Sequence, residues 1–257
     1  MAEKVNLLVN LAFGLSLLSL LAAAGEYVFR RRVLWRPERW LAASWAALTA
    51  ALALLWALLG RPPLSNQYES LLTLLWFLFP FAFYFRRRSG RAEIVPAAAA
   101  AAALLFGAAA LLDRTARPLM PALRSDWLIF HVLSSMAAYA AFALAAAVSA
   151  WGLLRGSALP QLEEFLLRLT RAGFAFLTLG IATGSVWAET AWGSWWSWDP
   201  KETWSLLTWL AYAAAIHLRR RGVSGKKFAI ILLACFALVL FTYFGVNFLL
   251  AGLHSYA

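Results

Sequence analysis

The chain has 257 residues, of which 63% are hydrophobic and 14% charged, with a formal net charge of +11. This composition excludes an ordinary soluble domain and places the chain among polytopic membrane proteins. A nucleic-acid partner is excluded because the basic residues fall in short clusters between apolar runs, and the single cysteine, Cys235, excludes an internal disulfide or a CxxC pair.

An apolar run of about 20 residues crosses a bilayer as a helix. Eight spans are predicted in this chain, at roughly 5–25, 41–60, 69–85, 94–112, 127–154, 165–187, 201–218 and 228–250. The expected fold is all-α, a polytopic helix bundle in which residues 1–257 form one integral membrane domain. In the first span, Arg30-Arg31-Arg32 follow the apolar run and only Lys4 precedes it. That order is the reverse of a signal peptide's, so a retained helix is expected. The third span reads as short and the fifth as long. The Ala-rich run 97–103 is ordinary in a lipid-embedded helix. The connection from Asp113 to Asp126 contains Pro118 and Pro121 and reads as a structured surface loop.

Ser125-Asp126 offers a cap for the fifth helix. In the sixth span Gly180 and Gly184 form a GxxxG, which permits close helix approach or reflects plain small-residue packing. Residues 188–200 form a tryptophan-rich connection. Asp199-Pro200-Lys201-Glu202 then reads as an Asp cap, Pro at the first helical position and Glu at the third, a strong helix-start signal.

Orientation follows from the basic residues. One alternating set of loops holds Arg30, Arg31, Arg32, Arg36, Arg39, the Arg86–Arg91 group, Arg155, Arg168, Arg171, Arg219, Arg220, Arg221, Lys226 and Lys227, 17 cations against 6 in the other set. The positive-inside rule puts the first set in the cytoplasm and both termini, with the tryptophan-rich loop, on the outer face.

Seven of the 14 tryptophans lie between Trp187 and Trp209. An interfacial aromatic belt would spread its residues over many helices, whereas these are concentrated in and beside one connection. Trp192, Trp195 and Trp196 stand at i, i+3 and i+4, so a short interfacial helix would present them as one face. Flat aromatic faces with scarce imidazoles suit a large planar ligand containing a metal, and haem is the first to consider. Zinc fits less well, with no cysteine cluster and only Asp126 as a nearby carboxylate.

The three histidines lie at two depths. His131 falls just over one turn into the fifth helix, and His254 lies beyond the eighth span, both on the outer side. His217 sits about 27 Å along the seventh helix, at the cytoplasmic end beside Arg219-Arg220-Arg221. A bis-histidine site there requires an imidazole from another polypeptide, and the alternative for His217 is snorkelling into the basic interface. No residue stands out as a nucleophile or tuned base.

The segments 192–210, 131–141, 252–257 and 63–72 together resemble the haem-handling family marked by a tryptophan-rich WWD loop. Within it they resemble the CcsA (ResC) branch of System II cytochrome c biogenesis, which works with CcsB (ResB). The Asp199-to-Trp204 continuation separates this branch from the CcmC branch. The resemblance implies haem b as cargo, His131 and His254 as outer axial ligands of the iron, and His217 as the inner histidine, completed by one from CcsB. It also implies that Trp192, Trp195, Trp196, Trp198 and Trp204 cover the porphyrin, with Asp199 and Lys201 at its edge and Lys201 available to a propionate. The further partners implied are an apocytochrome c bearing CxxCH and a thioredoxin-like thiol reductant, and the setting is the bacterial cytoplasmic membrane. The expected function is the haem-delivering module of a holocytochrome c synthase. A haem exporter with ligation performed elsewhere, a CcmC-type chaperone and a membrane cytochrome b are the alternatives.

Overall fold

A computed structural model describes residues 2–28, 36–115, 118–156, 159–250 and 252. Among these residues the chain is helical throughout, with no strand. The main helices are α1 (Ala2–Val28), α2 (Pro37–Leu59), α3 (Gln67–Ser89), α4 (Ile94–Ala110), α5 (Asp126–Arg155), α6 (Leu159–Trp192), α7 (Pro200–Arg220) and α8 (Gly225–Leu240). A π-helical segment, Phe241–Gly245, continues α8 into a last turn, α9 (Val246–Leu249). Among the described residues, six helical segments are long and apolar enough to span a membrane, α8 with its continuation counting as one, Gly225–Leu249. The helix α4 is apolar but has only 17 residues, and α7 carries Lys201 and Glu202 in its first turn and Arg219 and Arg220 in its last. The result is the polytopic helical bundle that the apolar runs predict.

The chain divides into two compact units, residues 1–116 and 117–257. In the first, α1 packs along α2 and α4, and α3 packs on α4. Small polar side chains knit α1 to α2: Ser16 and Ser44 hydroxyls share a hydrogen bond of 2.8 Å, Ser44 donates to the Ala12 carbonyl, and Ser19 donates to the Pro37 carbonyl. Such interhelical bonds replace the hydrophobic drive that helices lack in lipid. The alanine run of α4 faces protein, with Ala97, Ala98, Ala99, Ala101 and Ala102 all buried. The α2–α3 turn is organised by Glu69, which is buried. Its carboxylate takes a bidentate pair from Arg61 at 2.9 and 3.2 Å and accepts from the Ser65 amide at 2.8 Å, while Asn66 caps α3 through the Glu69 amide.

In the second unit, α5 and α6 form the most extensive helix pair, with α8 against α5 and α7 between α6 and α8. Three glycines on α6 take side chains of α5 in antiparallel register. A β-carbon at Gly173 would strike the Phe142 ring, one at Gly180 the Ser135 hydroxyl, and one at Gly184 the His131 ring. The GxxxG is therefore an interface motif with a third glycine seven residues earlier. At mid-bundle, Phe142 stacks on Tyr212 of α7.

Several boundaries depart from the sequence reading. The third helix is not short: α3 runs to Ser89 through Arg86, Arg87 and Arg88. The sixth spans 34 residues, beginning before position 165 and ending at Trp192, so it also takes in Glu164, which pairs at i, i+4 with Arg168. Ser125 occupies the cap position of α5 in extended backbone, but its side chain makes no capping bond.

Candidate functional site

His131 lies in the second turn of α5 and is half-buried. Its Nδ1 is 2.7 Å from the carbonyl oxygen of Gly180, and the absence of a side chain at Gly184 leaves room for the ring. A carbonyl only accepts, so Nδ1 carries the proton and the lone pair resides on Nε2. The ring stacks on Trp187 with centroids 5.8 Å apart and planes 18° apart. Trp187 is almost wholly buried, its Nε1 donates to the Ala122 carbonyl at 2.8 Å, and it packs with Leu123 and Leu128. Trp192 meets Trp187 edge-on at 4.7 Å. The structure thus joins His131 to the start of the tryptophan loop through one buried indole.

The loop itself corrects a sequence expectation. Trp187 and Trp192 belong to α6, but 193–199 is not helical, so no short interfacial helix presents Trp192, Trp195 and Trp196 as one face. Gly193, at φ 75°, ends α6 in the left-handed region that suits glycine. At the other end Pro200 occupies the first position of α7 and restricts Asp199 to extended backbone, φ −50° and ψ 145°.

Between these stops Trp198 adopts φ 59°, the one positive φ outside glycine among the described residues. For a side-chain-bearing residue that conformation costs about 1–2 kcal/mol. Trp195 and Trp198 are exposed at 56% and 68%, while Trp196 is half-buried and edge-on to Trp198 at 5.8 Å.

The predicted capping arrangement at α7 is present. Asp199 accepts from the Lys201 amide at 2.9 Å, and Glu202 accepts from the Asp199 amide at 3.2 Å. Glu202 does more, accepting also from the Ser197 amide at 2.8 Å and the Ser197 hydroxyl at 3.2 Å. Lys201 donates to Asn247 Oδ1 at 2.7 Å, tying the start of α7 to α9. Gly252 sits against Asp199 and Pro200, where a β-carbon would collide with the Asp199 carboxylate. Trp204 packs on Phe241 of the π segment at 4.2 Å, and its carbonyl accepts from Thr208 at 2.8 Å and Thr242 at 3.2 Å. A β-carbon at Gly245 would enter the Phe241 ring, so this glycine seats the ring that supports Trp204.

His217 is exposed in the last turn of α7. Since α5, α6 and α7 alternate in direction, it lies at the opposite end of the bundle from His131. Nearby, Glu163 near the start of α6 pairs with Arg219 at 2.7 Å and accepts from the Gly225 amide, clamping the α7–α8 turn. His254 lies outside the described residues.

The structure therefore gathers His131, Trp192, Trp196, Trp198, Asp199, Lys201 and Trp204 at one end of the second unit, with Trp195 in the same loop. His217 is not among them. Sequence reading gave no site role to Gly180, Gly184, Asn247 or Gly252, and took Glu202 only as a helix start. The glycine pair and the spacing from Asp199 to Glu202 were visible signals. Asn247 carried none.

The family model for cytochrome c assembly protein matches residues 64–254. A cytochrome c biogenesis protein CcsA from Prochlorococcus marinus (strain NATL2A) is 39% identical over 256 aligned residues, which cover 81% of this chain and 81% of that protein. The CcsA of Synechococcus sp. (strain RCC307) is 38% identical, covering 81% of this chain and 80% of its own. For the CcsA of Chlamydomonas reinhardtii the identity is 38%, with 81% of this chain and 65% of that protein covered. Among solved structures, the cytochrome c haem lyase CcmF superposes with a TM-score of 0.69 at 22% identity, over 94% of this chain and 46% of that one. The chain spans about half the length of CcmF, and the likeness is one of fold.

Proposed function

The chain belongs to the cytochrome c assembly protein family, and on that premise we propose that its part in assembly is to hold haem, as substrate, where His131 meets the tryptophan loop. The observation that carries this reading is the bond from His131 Nδ1 to the Gly180 carbonyl. Ligating histidines typically donate their second ring N–H to a carbonyl or carboxylate, which fixes the tautomer and aims the other nitrogen at the metal. Trp187 holds the ring plane, so the orientation is set before any ligand arrives.

His254 is the proposed second axial ligand. It follows Gly252 by two residues, a reach of about 7 Å at most, and Gly252 is seated against Asp199. Two imidazoles fill both axial positions of the iron and limit dioxygen chemistry. Trp192, Trp195, Trp196 and Trp198 supply flat apolar faces for a haem b, Trp204 backs the loop, and Asp199 and Lys201 stand at its edge. His217 is proposed to receive haem at the other end of the bundle, with a histidine from a CcsB (ResB)-type partner. The chain would then relay the haem to the His131 site.

At that site an apocytochrome c brings CxxCH, kept reduced by a thioredoxin-like protein. Its histidine replaces one axial ligand while its two thiols add across the vinyl groups. The chain's own contribution is binding, orientation and exclusion of water, with the reactivity residing in haem and apocytochrome. The proposed setting is the bacterial cytoplasmic membrane, with both termini and the tryptophan loop outside, supported by the 17-to-6 division of basic residues. Residues 1–257 are taken to act there as one integral membrane assembly.

Co-expression of the chain with a CcsB-type partner and an apocytochrome tests this function. His131→Ala is expected to abolish thioether product and to lower haem recovered with the chain. Full product formation by His131→Ala would rule the reading out.

A further inference from the structure

The Glu202 carboxylate reaches farther than a helix cap needs. Asp199 already caps α7 through the Lys201 amide, and one return bond from the Asp199 amide to Glu202 completes the reciprocal box. Two further bonds go to Ser197, from its amide at 2.8 Å and its hydroxyl at 3.2 Å, all received by the same oxygen, Oε2. Ser197 and Asp199 flank Trp198. One carboxylate oxygen thus grips the backbone on both sides of the residue held at φ 59°. The Trp198 carbonyl is engaged as well, accepting from Thr203 Oγ1 at 3.2 Å. A left-handed non-glycine residue persists only where its surroundings over-determine it. Here the surroundings are largely Glu202, and what the strained backbone delivers is an indole that is 68% exposed.

We infer that Glu202 is the positioning residue of the haem-facing loop: its carboxylate holds Trp198 in the left-handed conformation and so presents the indole, pre-formed, to the planar ligand. This rests on the haem reading above. Burial suits Glu202 to the task, since the residue is 9% exposed and its carboxylate accepts three hydrogen bonds. Losing the grip would let Trp198 relax toward ordinary backbone. A conformation disfavoured to the extent expected of a left-handed residue falls by about 5–30-fold in population. The apparent haem affinity falls by the same factor, because only the presented state binds.

The test uses the full-length chain with its partner, purified in detergent, titrated with haem and followed by absorption and by quenching of tryptophan fluorescence. The variants are Glu202→Ala, Glu202→Gln, Trp198→Gly and the double variant Glu202→Ala/Trp198→Gly. Glu202→Ala is expected to weaken haem binding by about 5–30-fold. Glu202→Gln keeps a carbonyl oxygen for the same donors and should restore most of the affinity.

Trp198→Gly should weaken binding while leaving the melting temperature at or above wild type, because glycine adopts φ 59° without strain. In the Trp198→Gly background, Glu202→Ala should cost little further affinity. Wild-type affinity in Glu202→Ala would overturn the inference. So would additive losses in the double variant, which would mean that Glu202 merely starts α7, or a lower melting temperature for Trp198→Gly. A wild-type chain that binds no haem would instead overturn the haem reading itself.

Discussion

His131 on α5 and Gly184 on α6 occupy each other's space: a β-carbon at Gly184 would lie 2.5 Å from the imidazole Nδ1. The glycine is therefore a condition of the histidine's position, and through it of the bond to the Gly180 carbonyl. Gly184→Ala is expected to cost about 1–3 kcal/mol from overpacking and to displace the ring. Haem content after purification should fall with it. Gly107→Ala is the control, since a β-carbon there meets nothing within 4 Å, and it should leave haem content and melting temperature close to wild type.

Trp187 supports the same ring from its face. Trp187→Phe keeps an aromatic surface but removes the donor to the Ala122 carbonyl, leaving a partly buried acceptor unsatisfied. A loss of about 1–3 kcal/mol is expected in detergent denaturation. The ligand band of bound haem should broaden as the imidazole gains freedom. An unchanged melting curve would show that the Ala122 carbonyl finds another donor.

In the first unit, Glu69→Ala leaves Arg61 without its bidentate partner and the Ser65 amide without its acceptor. Breaking one side of a buried pair costs about 3–5 kcal/mol. The expected result is a lower melting temperature and protease cleavage near residues 60–66. Arg61→Met/Glu69→Leu, which removes both charges together, should be less damaging than Glu69→Ala.

Lys201 is engaged by Asn247 at 2.7 Å. Asn247→Leu removes that acceptor and unties α9 from the start of α7. If Lys201 then serves a propionate alone, haem binding should become more sensitive to salt than in wild type, read by titration at low and high ionic strength. Identical salt dependence would mean that Lys201 makes no contact with the ligand.

The sequence made the helical bundle legible because apolar runs and clustered arginines report directly on membrane spans. The start of α7 was equally legible, since Asp, Pro and Glu at those offsets satisfy the orphan amides of a helix N-terminus in a single arrangement. The start of α6 was misjudged because Glu163 and Glu164 look like loop residues, yet Glu164 pairs with Arg168 along the helix surface. The tryptophan spacing suggested a helical face that Gly193 and Pro200 prevent, a case of backbone chemistry overriding side-chain periodicity. The pairing of His131 with Gly180 and Gly184 depends on the register of two helices about 50 residues apart, which no local pattern encodes. The same holds for Asn247 and Lys201.

The central claim is that His131 ligates haem, and the absorption spectrum of the reduced, purified chain tests it most directly. Wild type should show the sharp paired bands of six-coordinate, low-spin haem, and His131→Ala should lose them, with free imidazole restoring them. Identical spectra for wild type and His131→Ala would contradict the claim.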